Sequence, residues 1–270
     1  MSPLPRSLAF AFPSRGAVPG GRGSPPWTAA RAGCRAGFDP TPWSAPFPPA
    51  WPAPRPHRNP APDPDRRIGG CRAAAKRGTD LILASLLLVL LAVPMAAIAL
   101  WIRIDSPGPA LFRQRRIGRG GRGFLVLKFR TMHVHAVAPG TCPQARRQDP
   151  RVTRAGTRLR RWSIDEWPQL VNVLQGDMSL VGPRPHAPGT CAGGRPFEQV
   201  AANYAARHAV RPGITGLAQV RGWRGETETE EKLRRRIESD LEYIARWSLR
   251  LDLWILLRTV PALLRPTNAW

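Results

Sequence analysis

The sequence predicts a mainly α-helical chain with one short β-hairpin, built as a monotopic membrane protein. A proline-broken, re-entrant helix would enter the bilayer, and a cytoplasmic domain would follow it. Three observations predict this. Residues 81–102 carry no charge over 22 positions, about the length that spans a bilayer. Pro94 lies past the middle of that run, where it removes a backbone hydrogen bond and bends a helix. Both flanks are basic, with Arg72, Lys76 and Arg77 before and Arg103, Arg113, Arg115, Arg116, Arg119 and Arg122 after. The tendency of basic flanks to stay inside draws both ends to the cytoplasm. A helix that enters, breaks at Pro94 and returns meets all three. A straight spanning helix with Pro94 as a tolerated kink is the alternative.

The boundaries follow from composition. Residues 1–70 hold 17 of the 31 prolines, and their Pro-Pro, Pro-Ala-Pro and Pro-Asp-Pro steps forbid helix and sheet ladders. They read as a disordered arm, with no apolar segment of the signal-peptide kind. The membrane helix is expected over 71–104 and the cytoplasmic domain over 105–270. Within the latter, residues 110–117 and 124–130 read as strands around the glycine cluster at 118–123, which makes a hairpin turn. A loop is expected at 134–150 and helix around 153–175. Residues 226–246 read as a charged, solvated helix, and 247–264 as an interfacial or core-packed one.

The net charge is +23, split as 9 basic against 3 acidic residues in 1–70 and 32 against 15 in 71–270. Such a domain expects an anionic partner: nucleic acid, an anionic membrane surface or a phosphorylated substrate. Nucleic acid is disfavoured, because only two tyrosines are present and no stacking aromatics interleave with the basic residues. Cys34, Cys71, Cys142 and Cys191 form no CxxC pair and read as unpaired thiols in a reducing compartment. His133, His135, His186 and His208 form no metal-ligand pattern and read as surface residues.

Against this basic background, Ser163-Ile164-Asp165-Glu166-Trp167-Pro168 sets two carboxylates side by side, just after Arg158, Arg160 and Arg161. Pro168 is at home only in a first helical turn, so a helix is expected to start near Asp165. Ser163 and Glu166 fit a capping box. That places the carboxylates at the positive end of a helix, where free N–H groups can receive phosphate oxygens. Neighbours on a helix do not face each other, so the two carboxylates need separate tasks, one at a reacting phosphorus and one at a metal. A purely capping role is the plain alternative. Lys128, Arg130, Arg160, Arg184 and Arg211 are candidate phosphate binders, with Arg184 and Arg211 fixed in Gly/Pro turns.

Six segments then follow one another in a familiar order: Lys128–Met132, Asp149–Thr153, Ser163–Leu170, Asn172–Ser179 (which contains Asp177), Val181–Pro185 and Arg211–Val220. Over residues 72–270 this order resembles the bacterial sugar transferase family, the polyprenyl-phosphate hexose-1-phosphate transferases that begin exopolysaccharide, capsule and O-antigen units. The resemblance implies a re-entrant helix in the bacterial inner membrane, an active site facing the cytoplasm, and Mg²⁺. It implies Asp165 as the nucleophile on the sugar-linked phosphate of a UDP-sugar, with UMP leaving and undecaprenyl phosphate taking the sugar phosphate. Glu166 would hold Mg²⁺, while Lys128, Arg130, Arg160, Arg184, Arg211 and Asp177 would bind substrate. A homodimer is compatible with it.

The segment Gly222-Trp223-Arg224-Gly225, with Asp240, Trp247 and Asp252, resembles the subgroup that transfers glucose- or galactose-1-phosphate. Transfer of an N-acetylated hexosamine phosphate, or an inactive member acting as a membrane scaffold, are the alternatives. Two positions depart from the family pattern: Gly78 stands where an aromatic residue is usual, and Val93 precedes Pro94 where serine is common.

Overall fold

A computed structural model describes residues 70–134, 149–225, 227 and 229–264. The proline-rich arm up to residue 69, most of the 134–150 loop with His135, and Cys34 and Cys142 lie outside the described residues.

Helix α1 runs over Gly70–Asp105. It is the one described helix long and apolar enough to cross a membrane. Pro94 lies inside this helix, and helical residues run on from it to both sides, so the expected break is not a gap in the helix. A proline at such a position removes one backbone bond and bends a helix without ending it. Most of its apolar residues face outward, among them Leu86, Val89, Leu90 and Val93. The residues after Gly78 are held by Asp80, which is buried. Its carboxylate accepts from the Ser179 hydroxyl at 2.8 Å and from the Leu180 N–H at 3.1 Å.

Strands β1 (Leu111–Ile117) and β2 (Gly123–Phe129) form the expected antiparallel hairpin, with Leu111 opposite Phe129 and Ile117 opposite Gly123. The glycine cluster turns the chain with Gly120 and Gly121 at positive φ. Helix α2 (Arg154–Arg161) starts at Thr153, whose hydroxyl accepts from the Gly156 N–H at 2.9 Å. Helix α3 (Gln169–Gln175) follows. Its Asn172 takes the place of a third strand against β2: the side chain accepts from the Leu127 N–H at 2.9 Å and donates to the Leu125 carbonyl at 2.8 Å. This buried amide satisfies a sheet edge that would otherwise be open.

Strands β3 (Ser179–Val181) and β6 (Gly213–Thr215) pair in parallel. The two Gly/Pro turn motifs therefore meet. Gly182 donates to the Thr215 carbonyl, and Gly213 to the Pro183 carbonyl, each at 2.9 Å. A Cβ on Gly213 would lie 2.1 Å from the Gly182 nitrogen, so glycine here permits the approach of two backbones. Between them lie β4 (Cys191–Ala192), β5 (Arg195–Pro196) and the short helix α4 (Phe197–Val200). Cys191 is disulfide-bonded, which corrects the reading of all four cysteines as unpaired thiols. Cys71 is free and exposed.

The chain closes with α5 (Leu217–Val220), α6 (Glu230–Arg246) and α7 (Leu249–Leu264). Helix α6 is not solvated all round. Leu233, Arg236, Ile237, Ser239, Asp240 and Tyr243 are buried on one face. Helix α7 buries Ile255 and Asp252 and exposes Leu249, Leu253, Trp254, Leu257 and Val260. The largest core cluster joins Ala84 of α1, Phe124 and Val126 of β2, Leu170 and Val173 of α3, Val181, Leu217, Tyr243 and Ile255. Both ends of α1 are thereby bound to one body. Lys76 and Arg77 donate to Asp252 and to the Val173 carbonyl, and at the far end Asp105 accepts from the Ala155 N–H.

Candidate active site

The two carboxylates stand in a single 3₁₀ turn, Ile164–Glu166, between α2 and α3. The backbone enters it through Ser163 at φ 56°, a left-handed conformation that Ser163 alone adopts among the described non-glycine residues. Such a residue is strained and persists only where its surroundings enforce it. This overturns two expectations. The α-helix starts after Pro168, not near Asp165. Ser163 forms no capping box with Glu166, because an N-cap needs extended backbone angles. Its hydroxyl instead accepts from Arg224 Nη2.

Asp165 and Glu166 are about 8 and 9 % exposed. The expectation that neighbours would point apart is also corrected, since both reach Lys128 of β2. The ammonium lies 2.7 Å from Glu166 Oε1 and 3.9 Å from Asp165 Oδ2. A 3₁₀ turn and an approaching strand bring together what an α-helix would separate. Arg184, on the turn after β3, forks onto Glu166: Nη1 donates to Oε2 at 2.9 Å and Nη2 donates to Oε1. Asp165 accepts no hydrogen bond among the described residues. Its one close partner is Lys128.

The electrostatics separate the pair. Burial pushes the Asp165 carboxyl above its ordinary value, with Glu166 adding to the rise and Lys128, Arg160 and Arg184 opposing it. Burial acts on Glu166 in the same sense. There Arg184 and Lys128, through charge and hydrogen bonds, overcome it and hold the carboxyl well below its usual range. Lys128 is lowered by burial against the pull of both carboxylates. Four cations, Lys128, Arg160, Arg184 and Arg224, thus surround two carboxylates, an excess that favours an incoming polyanion.

The remaining expected residues are placed as follows. Arg160 feels Asp165 and is steadied by Nε donating to the Thr131 hydroxyl at 2.8 Å. Arg130 donates to the Ile102, Pro107 and Ser106 carbonyls and the Ser106 hydroxyl, tying the end of α1 rather than reaching the pair. Arg211 donates to the Gly176 carbonyl at 3.0 Å, and the exposed Asp177 stands on that same turn after α3. His186 and His208 are buried, contrary to the expectation of surface residues, while His133 is exposed. Arg224 is the residue that reading from motifs left out of the site. Its setting between Gly222 and Gly225 is the same signal that singled out Arg184.

A metal was expected at Glu166. No group of three or more His, Cys, Asp or Glu side chains converges among the described residues. Mg²⁺ there would take one carboxylate plus substrate phosphates, and Glu166 Oε2, which accepts a single hydrogen bond from Arg184, is the oxygen that could turn to it.

The sequence profile of the bacterial sugar transferase family matches residues 71–266. A Caulobacter vibrioides protein named UDP-glucose:undecaprenyl-phosphate glucose-1-phosphate transferase is 55 % identical over 195 residues, which cover 72 % of this chain and 72 % of that one. An Escherichia coli K12 protein of the same name is 47 % identical over 196 residues, 73 % of this chain and 41 % of its own length. An exopolysaccharide production protein of Rhizobium leguminosarum is 46 % identical over 185 residues, 68 % of this chain and 92 % of that one. The chain thus spans most of the first and third relatives and about two-fifths of the second.

Proposed function

The chain belongs to the bacterial sugar transferase family, and from that premise we propose that it transfers hexose-1-phosphate, glucose-1-phosphate first among candidates, from a UDP-sugar to undecaprenyl phosphate with release of UMP. This is the first membrane step in making an exopolysaccharide or related polymer. One observation carries the reading: of two adjacent buried carboxylates, Glu166 is locked by two cations while Asp165 accepts no hydrogen bond among the described residues and faces the excess positive charge.

In this reading an Asp165 oxygen attacks the sugar-linked phosphorus of the donor. The new Asp165–phosphorus bond forms as the bond between that phosphorus and the bridging oxygen breaks, and UMP takes the electron pair. An oxygen of undecaprenyl phosphate then attacks the same phosphorus, releases the Asp165 carboxylate and leaves an undecaprenyl diphosphate-linked sugar. Lys128 orients Asp165 and screens it from Glu166. Arg184, Arg160 and Arg224 hold phosphate oxygens and counter the charge that develops on UMP. Mg²⁺ held by Glu166 would neutralise the diphosphate. Two substrates from different phases need never be bound together.

The test is nucleotide release from detergent-solubilised protein given UDP-glucose and undecaprenyl phosphate with Mg²⁺. Lipid-dependent UMP is expected. Asp165→Asn should abolish it, and without lipid the wild type should gain the mass of one sugar phosphate. UDP as product, or full turnover by Asp165→Asn, would overturn the mechanism.

The same proposal places the chain in the bacterial inner membrane with the site on the cytoplasmic side. Support comes from α1, whose two ends bond to one body, and from the apolar stripe of α7, flanked by Arg250 and Arg258. Thiol labelling of Cys71 and of a cysteine replacing the exposed Ile104 tests it. Both should react from the same face of sealed vesicles, and labelling from opposite faces would establish a spanning helix.

A further inference from the structure

Behind the cationic face of the site lie three buried charged side chains that the proposed chemistry does not use: Arg207, Arg236 and Asp240. Two of them sit one turn apart on α6. Arg236 Nε donates to the Trp223 carbonyl at 3.1 Å and its Nη2 to the Gly225 carbonyl at 3.0 Å, so the fork grips the backbone on either side of Arg224. Asp240 Oδ2 accepts from Arg207 Nε at 3.0 Å and Nη2 at 2.7 Å. The same Nη2 donates to the Arg184 carbonyl at 2.6 Å, and Nη1 lies 2.8 Å from His186 Nδ1. Arg207 and Asp240 are about 1 and 2 % exposed.

The Arg207–Asp240 pair also joins the turn at Tyr204–Ala209 to α6, but the burial of Arg236 is costly and its bonds go to the backbone around Arg224. Arg236 is buried with no carboxylate at ion-pair distance among the described residues. Burial, and then the positive charge of Arg184, pull its guanidinium down to about 10. Burying a cation against carbonyls alone is tolerated where the geometry it enforces matters. That geometry concerns the two turns that carry Arg224 and Arg184. Arg224 stands between Gly222 and Gly225, both at positive φ, and Arg184 follows Gly182-Pro183. The side chains are anchored at their far ends, Arg184 on Glu166 and Arg224 on the Ser163 hydroxyl and the Ala262 carbonyl, while Arg207 and Arg236 tie down the main chain that carries each.

We propose that α6 is the positioning element of the site's arginine pair: Asp240 through Arg207 sets Arg184, and Arg236 sets Arg224, without any of the three touching substrate. The inference rests on the proposed function, in which Arg184 and Arg224 hold the donor's phosphates. Lysine would keep the charge at either position but cannot bridge two acceptors in a fixed fork.

The experiment is a pair of crossed double-mutant cycles, read as lipid-dependent UMP release and as the Kd for UDP. Arg207→Lys and Arg236→Lys are each made in the wild type, in Arg184→Ala and in Arg224→Ala, with denaturation midpoints recorded for all. Each single Lys variant is expected to lose on the order of tenfold or more in kcat/KM and to weaken UDP, with a folded midpoint. The loss from Arg207→Lys should vanish in the Arg184→Ala background and persist in Arg224→Ala. Arg236→Lys should show the reverse. Asp240→Asn, which keeps the shape, should follow the Arg207→Lys pattern and stands in for it if that variant fails to fold. Losses that simply add in both backgrounds, or that track the midpoint alone, would reduce these residues to general scaffolding. If the wild type releases no UMP, the proposed function has failed instead, and the UDP-binding cycles still decide the positioning claim.

Discussion

Two lysine–carboxylate pairs in this molecule are nearly the same object. Lys76 lies 2.8 Å from Asp252, with side chains 19 and 8 % exposed, and Lys128 lies 2.7 Å from Glu166, with side chains 16 and 11 % exposed. The first fastens α1 to α7 and the second lies at the proposed reaction centre. Distance and burial do not tell them apart. What differs is the company of the carboxylate. Asp252 is completed by neutral donors, the Tyr243 hydroxyl at 2.8 Å and the Trp247 indole N–H at 3.2 Å. Glu166 is completed by a second full cation, Arg184. Each lysine has a further carboxylate near it, Asp80 at 3.8 Å from Lys76 and Asp165 at 3.9 Å from Lys128, but Asp80 accepts two hydrogen bonds and Asp165 none among the described residues. A closed set of bonds makes a joint. A surplus of one charge, with a carboxylate left unbonded beside it, makes a place for a polyanionic ligand.

The largest expected effect breaks this comparison from both sides. Glu166→Gln and Asp252→Asn each leave a part-buried lysine with only a more distant carboxylate, Asp165 at 3.9 Å or Asp80 at 3.8 Å, and each should cost about 2 kcal/mol of stability. Activity should part them. Glu166→Gln should lose transfer by orders of magnitude, whereas Asp252→Asn should keep most of its turnover per folded molecule. Denaturation midpoints and UMP release on the same preparations measure both. Equal losses of activity would show that the α1 joint is as much a part of the site as Glu166.

The next effect has the opposite sign. Asp165 has a folded pKa raised above its unfolded value, so its ionised form is penalised by folding and stability falls as pH rises through that pKa. Glu166 is depressed, so its contribution is present above the unfolded value and is lost as pH falls through the folded one. At neutral pH, Asp165→Asn should therefore unfold at a higher temperature than wild type while losing its turnover. A lower midpoint for this variant would mean that Lys128 and Arg160 outweigh the burial of Asp165.

How much of this was legible in the chain depends on the range of the physics involved. The hairpin at 111–129 follows from strand-like apolar runs around a glycine turn, and the structure has it within a residue or two. The uncharged run around Leu81–Ile102 predicts α1, though the helix runs on past Pro94. Asp165, Glu166, Lys128 and Arg184 were identified from neighbouring residues and motif order, and the fold brings them together. What was missed depends on approach from afar. Nothing local marks Ser163 as left-handed, because the surroundings that hold it there include Arg224, 61 positions away. The charge-rich sequence of α6 hides a buried face, since Arg236 and Asp240 are neutralised or bonded only by segments that fold over them. Arg130 and Arg211 look like phosphate binders in sequence and are seen bonded to main-chain carbonyls at helix ends, a use of arginine that no spacing rule distinguishes.

The smallest effect sharpens the comparison by asking what burial does without any counter-charge. His208 is buried beside Arg207, and neither ring nitrogen has a hydrogen-bond partner among the described residues. Burial, reinforced by the Arg207 charge, pulls its imidazole down to about 3. The unfolded chain takes up this proton near pH 6.5 while the folded one does not, so stability is full above that value and drains as pH falls toward 3. Lowering pH from 7.5 to 5.5 should cost about 1.4 kcal/mol through this one residue. His208→Phe removes the titration while keeping an aromatic ring against Tyr204, whose ring centroid lies 5.2 Å away edge to face. The variant forfeits no hydrogen bond, so its midpoint should drop less between the two pH values than that of the wild type, with turnover at pH 7.5 unchanged. An equal drop would place the acid sensitivity elsewhere, first at His186, whose imidazole is also held well below its ordinary value by burial and by Arg207.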